Sequence, residues 1–506
     1  MELTPAAFSY ECDVVDRKVI GSAYGAMSTV DSLGHMPVSV AIDDRDTHKH
    51  EGDPQHPHVP WRKTVIYEMH VKGFTANAPW LPESLRGTYA GLAHPTTLAY
   101  LQGLGITSIE LLPIMAKQDE LFLQEHGRKN YWGYSTLSYF APEPSYATKA
   151  AQEKGAAAVR QEVIDMVRAL HEAGFEVIMD VVYNHTSPDS VLYREHPEYF
   201  YRGPDGKPGN KLGDWADVID LDYSNRGLWQ YLTDTLVMWA GLVDGFRCDV
   251  ASFVPVEFWL QARAAVAAVN PDCVWLAETV HRSYGCLARR HGVYSASDGE
   301  VFRAFDLEYE YDVREVFDQY LRGEVPLSRY LDALNFQEAC YPANYNKLRF
   351  LENHDQPRIA SFVRDERALV NDTAMLYFLK GTTLLYAGQE FENDHLPSLF
   401  DLDPIDRRTG RDLSGLLRRL YAVKQQFGSA DWFFADADDA NDLALLQRGS
   451  AGKRFVGVFS LKAKAADVRV DAADGVYENL IDRSAVTVKN GILSCTGEPV
   501  ILRAEG

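Results

Sequence analysis

The pattern that most constrains the fold is a unit that recurs along this 506-residue chain: an amphipathic helix, a glycine, then a continuous apolar run. In the clearest example the helical face consists of Val163, Met166, Val167 and Leu170. Gly174 follows, where a helix end favours glycine, and the apolar run FEVIMDVV comes next. Such a run predicts a strand buried on both faces. The same order recurs before ITSIELLPI, GLVDGFRCDV and TTLLYAGQE, so the sequence predicts parallel strands joined by right-handed crossovers.

A closed eight-stranded barrel and an open doubly wound sheet both fit this alternation. Several apolar runs are followed by an acidic residue, namely Asp249, Glu278 and Asp355. Barrels place functional residues at the C-terminal ends of several different strands. No GxGxxG follows an early strand, so a dinucleotide-binding sheet has no support. We therefore predict an α/β protein built on a (β/α)8 TIM barrel.

The sequence pattern changes at three places and so predicts how the chain is divided. The barrel is expected over residues 61–430, with a small Pro/Gly-rich insertion after the third strand at about 186–224. Residues 431–506 contain short alternating or apolar runs separated by turn residues, which predict a C-terminal antiparallel β-sandwich. Residues 1–60 form a short N-terminal extension with strand-like runs.

Composition restricts the partners and the compartment. The chain has 50 Lys and Arg against 72 Asp and Glu, a formal net charge of −22, so nucleic acid and anionic membranes are poor partners. A neutral partner such as a sugar polymer suits this surface better. The six cysteines contain no CxxC pair, which argues against a zinc site or a disulfide framework. No signal peptide or long apolar segment is present, so a cytoplasmic protein is predicted.

Four short stretches read together as one active site. They are DVVYNH (180–185), GFRCDV (245–250), WLAET (275–279) and ENHD (352–355). Chemistry at a glycosidic bond needs such a set of carboxylates, because one must attack or stabilise a cationic sugar while another donates a proton. Each acid or histidine alone would as readily be an ordinary surface or loop residue, and the prediction depends on the ordered set.

These four stretches, in this order and in barrel context, resemble the α-amylase family of retaining glycoside hydrolases and transglycosidases. The resemblance implies that Asp249 is the nucleophile, Glu278 the general acid/base, and Asp355 the third carboxylate that holds sugar hydroxyls. Arg247, two residues before Asp249, would stabilise the negative charge of that carboxylate. Glu278 follows the apolar run VWLA, where partial desolvation would raise its pKa so that it holds a proton.

The resemblance also implies the residues that bind the sugar. His185 and His354 resemble the paired histidines that hydrogen-bond hydroxyls of the sugar being cleaved. Tyr134, in NYWGYS, resembles the aromatic platform beneath that sugar, since an aromatic ring stacks on the apolar face of a pyranose. Arg247 is grouped with these substrate-binding residues.

Two parts of the chain resemble different branches of the family. WRKTVIYEMHVKGFT and NYWGYSTLSYFAPEPSYAT resemble glycogen debranching enzymes of the isoamylase type, which cut α-1,6 branches. The N-terminal carbohydrate-binding sandwich of those enzymes is not expected here. AETV around Glu278 and RFLENHDQPRIASF around Asp355 look more like amylases that act on α-1,4 bonds. Because these loops line the leaving side of the site, the sequence analysis favours hydrolysis of α-1,4 bonds in starch- or glycogen-derived maltooligosaccharides.

Three alternatives stay open at this point: an α-1,6 debranching enzyme, a 4-α-glucanotransferase, and a non-catalytic glucan-binding protein. The transferase shares every catalytic residue with the hydrolase, so the sequence does not separate them. The binding protein is disfavoured because all three carboxylates are present. The expected partner is an α-glucan in every case, and the oligomeric state is left open.

Calcium is the cofactor that the resemblance raises. Asn184 matches a position that binds Ca²⁺ in many amylases. The Lys-His pair that usually follows the nucleophile is replaced by Ser252 and Phe253, although the family uses only the backbone carbonyl of that histidine. Acidic loops such as DWADVIDLD could hold a hard cation, but solvated acids are more common. We predict no metal and no cofactor, with Ca²⁺ as the alternative.

Overall fold

The computed structural model describes residues 56–504, except 121, 122, 124, 214, 216, 428–431 and 451, and the side chain of 450. Most of the predicted N-terminal extension, including its strand-like runs, therefore lies outside the described residues. No helix of the described part is long and apolar enough to cross a membrane.

Eight strands form a closed parallel barrel, as the sequence predicts. In chain order they are β1 (Val65–Met69), β2 (Ser108–Leu111), β3 (Glu176–Val181), β4 (Gly245–Cys248), β5 (Val274–Ala277), β6 (Leu307–Tyr309), β7 (Lys347–Arg349) and β8 (Thr382–Tyr386). Each strand pairs with its predecessor and successor, and β8 closes onto β1. All strands run in one direction, so their C-terminal ends meet at one mouth.

Helices follow the strands and cover the outside of the barrel. The longer ones are α1 (Pro95–Leu104), α2 (Ala156–Glu172), α3 (Arg226–Ala240), α4 (Val256–Val266), α5 (Arg282–Arg290), α6 (Tyr311–Leu321), α7 (Leu327–Cys340), α8 (Glu366–Phe378) and α9 (Ser414–Phe427). The shorter α-helices are Val71–Thr75, Tyr89–Leu92, Lys149–Lys154, Val191–Glu195, Asp298–Val301 and Ile359–Phe362. Single 3₁₀ turns occupy Trp61–Lys63, Glu83–Leu85, Pro144–Tyr146, Pro197–Tyr199, Ala251–Phe253 and Gln389–Phe391.

Helix α2 shows how the sequence produces this layer. All four apolar residues of its predicted face are buried, and they pack against the outer side of the barrel. Gly174 takes φ +86°, a left-handed conformation that glycine adopts without steric cost and that turns the chain into β3.

The inside of the barrel is a separate apolar cluster. Ile66, Ile178, Leu276, Leu348 and Leu384 come from five different strands and meet in one buried group. Side chains alternate along a strand, so a residue two positions from one of these also faces inward. This places polar residues near the strand ends inside the barrel mouth, two positions after an apolar core residue.

Two short antiparallel ribbons lie outside the barrel. One pairs Met115–Lys117 with Thr136–Pro142, and the other pairs His185–Thr186 with Ile219–Asp220. The second ribbon joins the two ends of the predicted insertion after β3, so this segment begins and ends beside the barrel mouth.

The C-terminal part consists of two four-stranded antiparallel sheets. Its strands are β9 (Trp432–Asp438), β10 (Leu443–Ser450), β11 (Lys453–Ser460), β12 (Ala466–Arg469), β13 (Gly475–Glu478), β14 (Ala485–Lys489), β15 (Ile492–Cys495) and β16 (Val500–Ala504). The sheet orders are β9-β10-β11-β16 and β12-β15-β14-β13. Val456, Val468, Leu493 and Leu502 from both sheets form one buried cluster, which is the packing of a sandwich. The sequence pattern did not single out β9 and β13 as strands.

Candidate active site

Two of the predicted acids extend the barrel ladder by one residue beyond their strands. The amide of Asp249, directly after β4, donates to Val181 O at 3.0 Å. The amide of Glu278, directly after β5, donates to Cys248 O at 3.0 Å. The parallel pairing of β3, β4 and β5 therefore brings both side chains to the C-terminal mouth. Asp355 reaches the same mouth from the loop after β7.

One cavity of about 530 Å³ lies in this mouth. Six of the seven predicted site residues line it: Tyr134, His185, Asp249, Glu278, His354 and Asp355. Other lining residues include Trp132, Trp215, Tyr284, Tyr311 and Phe400. An aromatic cavity with a few convergent polar groups is the usual form of a site for a small or oligomeric ligand.

Arg247 differs from the expectation that groups it with the substrate-binding residues. Its side chain is fully buried and lies beneath the cavity, so it does not face the sugar site. Its guanidinium lies 2.9 Å from Asp180, 2.8 Å from Asp249 and 3.0 Å from Glu278. Burial lowers the pKa of Arg247, but Asp180 and Glu278 raise it well above the ordinary value. Arg247 therefore positions the acids from below.

The backbone is strained at Val250, directly after Asp249. Val250 has φ 42°, in the left-handed region that a β-branched residue rarely adopts. Its amide donates to Glu278 Oε2 at 2.8 Å. The strained backbone thus directs an N–H from the residue after Asp249 onto Glu278. Strain of this kind concentrates at functional sites, where the surrounding structure maintains it.

Glu278 differs from an ordinary surface acid in its proton affinity. Burial raises its pKa well above the usual value, and Asp249 and Asp355 add to this effect against the charge of Arg247. The direction agrees with the prediction from the apolar run before Glu278. A carboxyl that keeps its proton near neutral pH can serve as a general acid.

His354 is held by hydrogen bonds from both ring nitrogens. Nδ1 donates to Glu68 Oε1 at 2.9 Å, and Nε2 lies 2.7 Å from the Tyr134 hydroxyl. That hydroxyl donates to Asp180 at 2.6 Å, so it accepts from His354. Burial lowers the pKa of His354, but Asp355 and Glu68 raise it to about 10. The ring is therefore a cation at the cavity wall.

Tyr134 and His185 lie on the same side of the cavity. The Tyr134 ring stacks on the ring of His354 with centroids 5.4 Å apart and an interplanar angle of 10°. Nε2 of His185 lies 3.1 Å from the carbonyl oxygen of Tyr134. The Trp215 ring, from the insertion, lies 5.4 Å from the ring of His185. The insertion thus forms part of the cavity wall.

Three buried acids beneath the cavity were not predicted as site residues. Glu68 bonds His354, and Asp180 bonds both Tyr134 and Arg247. Glu110 accepts from the Tyr309 hydroxyl at 2.9 Å. Burial raises the pKa of Asp180 to about 7 and that of Glu110 to about 8. The available signal was a lone acid within an apolar strand, as in TVIYEMH, ITSIELL and VIMDVV.

One group among the described residues brings three metal-ligating side chains together. Ligand atoms of His56, His171 and Asp244 lie within 4.8 Å of one another. Asp244 precedes β4, so this group is at the opposite end of the barrel from Asp249. Its side chains are already joined by hydrogen bonds of 2.7 and 2.8 Å to Asp244. It takes no part in the cavity chemistry.

Comparison with family models identifies the class of the protein. The α-amylase catalytic domain matches residues 72–217 and 213–426, and the bacterial α-amylase C-terminal domain matches residues 434–502. The chain belongs to the α-amylase family. It is therefore a glycoside hydrolase with a TIM barrel.

Individual relatives include proteins named for glycogen debranching, the glycogen operon and α-amylase. The chain is 39% identical over 259 residues to a glycogen debranching enzyme of Serratia proteamaculans, which covers 49% of this chain and 38% of that protein. It is 39% identical over 263 residues to a GlgX homologue of Mycobacterium tuberculosis, covering 50% and 34%. The chain thus spans well under two thirds of these relatives. An α-amylase structure from Lactobacillus plantarum is 36% identical, covers 87% of this chain and 99% of its own, and has a TM-score of 0.77.

Proposed function

We propose that the chain hydrolyses α-glucosidic bonds in glycogen- or starch-type glucans with retention of the anomeric configuration. The observation that carries this proposal is the convergence of Asp249, Glu278 and Asp355 on one aromatic cavity, with Arg247 bonded to the first two. Retaining hydrolysis needs a carboxylate nucleophile and a second carboxyl that exchanges a proton.

The reaction takes two steps at this pair. Asp249 attacks the anomeric carbon while the protonated Glu278 gives its proton to the departing glycosidic oxygen, so the bond breaks and a glycosyl ester forms. Glu278, now a carboxylate, takes a proton from water as that water attacks the anomeric carbon and breaks its bond to Asp249. The second step releases the sugar and restores both acids.

The remaining residues hold the sugar during these steps. Asp355, at 38% side-chain exposure, is the most open of the three acids and accepts bonds from sugar hydroxyls. The cationic His354 and the neighbouring His185 line the cavity wall beside this sugar. Both N–H groups of His354 fix its ring, so it contributes its charge and its position. Tyr134, held by Asp180 and His354, offers its ring face to the apolar face of the sugar.

For the bond that is cleaved, we place the α-1,6 branch bond of glycogen first. The sequence analysis favours α-1,4 bonds, but a relative named glycogen debranching enzyme and another named glycogen operon protein GlgX homologue support its α-1,6 alternative better. Their identity of 39% spans about half of this chain. A debranching enzyme must accept a branch chain in the site and a main chain across its mouth.

Cleavage of α-1,4 bonds is the second candidate, because the α-amylase from Lactobacillus plantarum matches over 87% of this chain. Cytoplasmic location and transfer to a sugar acceptor in place of water remain predictions.

Initial rates on pullulan, glycogen and maltoheptaose test the proposal. Debranching activity predicts maltotriose from pullulan, linear chains from glycogen and intact maltoheptaose. Rapid cleavage of maltoheptaose with pullulan left intact would select the α-1,4 candidate. Products longer than maltoheptaose would reveal transfer. Proton NMR of the first product should give the α anomer, and the β anomer appearing first would contradict retention.

A further inference from the structure

The insertion after β3 contains a group of oxygen ligands that resembles a cation site. Asn184, Asn210, Asp220 and Asp222 line one cavity of about 450 Å³ beside the barrel mouth. Carboxylate and amide oxygens are the ligands that Ca²⁺ prefers. The family resemblance also places Ca²⁺ at Asn184. Lys211 lines the same cavity.

Nitrogen donors already satisfy the central carboxylate of this group. Asp220 Oδ1 accepts from the side chain of Asn210 at 2.7 Å, and Oδ2 accepts from the amide of Lys211 at 2.8 Å. The ammonium group of Lys211 donates to the carbonyl oxygen of Leu221 at 2.9 Å. A divalent cation at these oxygens would meet N–H hydrogens and an ammonium of like charge. The residues present therefore do not fit Ca²⁺.

These hydrogen bonds hold one strand of the ribbon that connects the insertion to the barrel mouth, the pair His185–Thr186 and Ile219–Asp220. Asp220 pairs with His185 in the ribbon, and the amide of Leu221 donates to Asn184 O at 3.1 Å. Lys211 bonds Asp220 through its amide and Leu221 through its ammonium. It therefore ties the strand that pairs with His185, a residue of the cavity wall, to the loop that contains Lys211.

We propose that the ammonium of Lys211 supplies the positive charge of this site, so that the insertion keeps its position at the active-site mouth without calcium. The charge is part of the chain and does not depend on the ion concentration. The proposal concerns the position of the insertion and is independent of which glucosidic bond is cleaved.

A thermal melt of the wild-type protein provides the first test. The protein is dialysed against a chelator and its Tm is measured alone, with added CaCl₂ and with added MgCl₂. The expected result is one Tm in all three conditions, because a ligand that binds only the folded state must raise Tm. A Tm that falls on chelation and returns with CaCl₂ would overturn the proposal.

The second test replaces the lysine and reads out the insertion locally. Lys211→Met should make the amide of Leu221 exchange with deuterium about ten-fold faster or more, since a hydrogen bond from a charged group is lost. Lys211→Arg keeps the charge and should protect this amide. Lys207→Met removes an exposed lysine of the same insertion and is the matched control. Equal exchange in Lys211→Met and wild type would overturn the role of Lys211, and the wild-type melt tests the metal even if this variant folds poorly.

Discussion

Two buried ion clusters lie on opposite faces of the same barrel wall. On the inner face, Arg247 bonds three carboxylates at the mouth. Toward the helices, Lys347 forms ion pairs with Asp298, Glu308 and Asp312 at N–O distances of 2.5, 2.7 and 3.2 Å. Glu308 lies between the inward residues of β6, so strand alternation turns it outward. Each cluster is one buried cation surrounded by three acids.

The two clusters show that burial alone raises the pKa of an acid, whether or not the acid takes part in chemistry. Burial raises the pKa of Glu308 well above its usual value, just as it does for Glu278. Glu308 is completely buried, however, whereas Glu278 lines the cavity beside Asp249. A perturbed acid is a candidate for chemistry only where a substrate can reach it. Access to the cavity, and not the pKa shift, distinguishes the two clusters.

The largest effect is expected from removing the nucleophile of the inner cluster. Asp249→Asn keeps the side-chain volume and the oxygen that accepts from Arg247, but it should lower kcat on glucans by at least about 10³-fold. The thermal midpoint should stay near that of wild type. Steady-state rates and a thermal melt on the same preparation measure both. Substantial remaining turnover would place the nucleophile elsewhere.

A second substitution in the inner cluster tests proton transfer. Glu278→Gln should slow glucan hydrolysis by about 10²–10⁴-fold, because the departing sugar oxygen needs a proton. An aryl α-glucoside with an acidic phenol leaves without that proton, so its first-turnover phenol release should change much less. Stopped-flow absorbance measures this release. Equal losses on both substrates would argue against Glu278 as the acid.

The outer cluster should respond in stability and not in chemistry. Lys347→Met leaves three acids without their cation and should cost about 3–5 kcal/mol of unfolding free energy, the usual effect of breaking a buried ion pair. The folded fraction should keep its kcat, because no member of this cluster lines the active-site cavity. Urea denaturation and activity at low temperature measure the two quantities, with Lys207→Met as the exposed-lysine control. A loss of kcat at unchanged stability would make the outer cluster part of the site.

The sequence predicts the inner site better than the outer cluster for a physical reason. Asp249 and Glu278 directly follow apolar strands, and a closed parallel barrel has only one mouth to which such residues can go. Glu68 and Glu110 lie within strands that are buried on both faces, so alternation of apolar and polar residues does not reveal which side is inward. Lys347 is paired with acids that include Glu308 on β6 and Asp312 in α6, both more than 30 residues before it in the sequence.

The sequence pattern also does not predict short strands or the contacts within irregular loops. Strand β6 has three residues, too few for a periodic signal. The hydrogen bond from Lys211 to Leu221 lies within the insertion, where loop geometry and not periodicity determines the contacts. The apolar runs of β3 and β8, by contrast, predict their strands directly.

The smallest predicted effect concerns another buried acid, Asp372, which belongs to neither ion cluster. Asp372 lies in α8, and neither of its carboxyl oxygens accepts a hydrogen bond from the described residues. Burial raises the pKa of Asp372 from its ordinary range to about 8. The folded state therefore binds this proton more tightly than the unfolded state does, so Asp372 makes stability fall as pH rises from its unfolded pKa to about 8.

Removing this carboxyl should flatten the pH dependence of stability and leave activity unchanged. In Asp372→Asn, the free energy of unfolding should decline less steeply with pH, by up to about 1.4 kcal/mol per pH unit between pH 5 and about 8. Urea titrations at several pH values measure the slope, and Asp332→Asn, an exposed carboxylate, is the control. Parallel curves for Asp372→Asn and wild type would mean that Asp372 is ionised in the folded protein. A smaller slope with unchanged kcat would show that an acid with a raised pKa outside the cavity affects only stability, as the comparison of the two ion clusters requires.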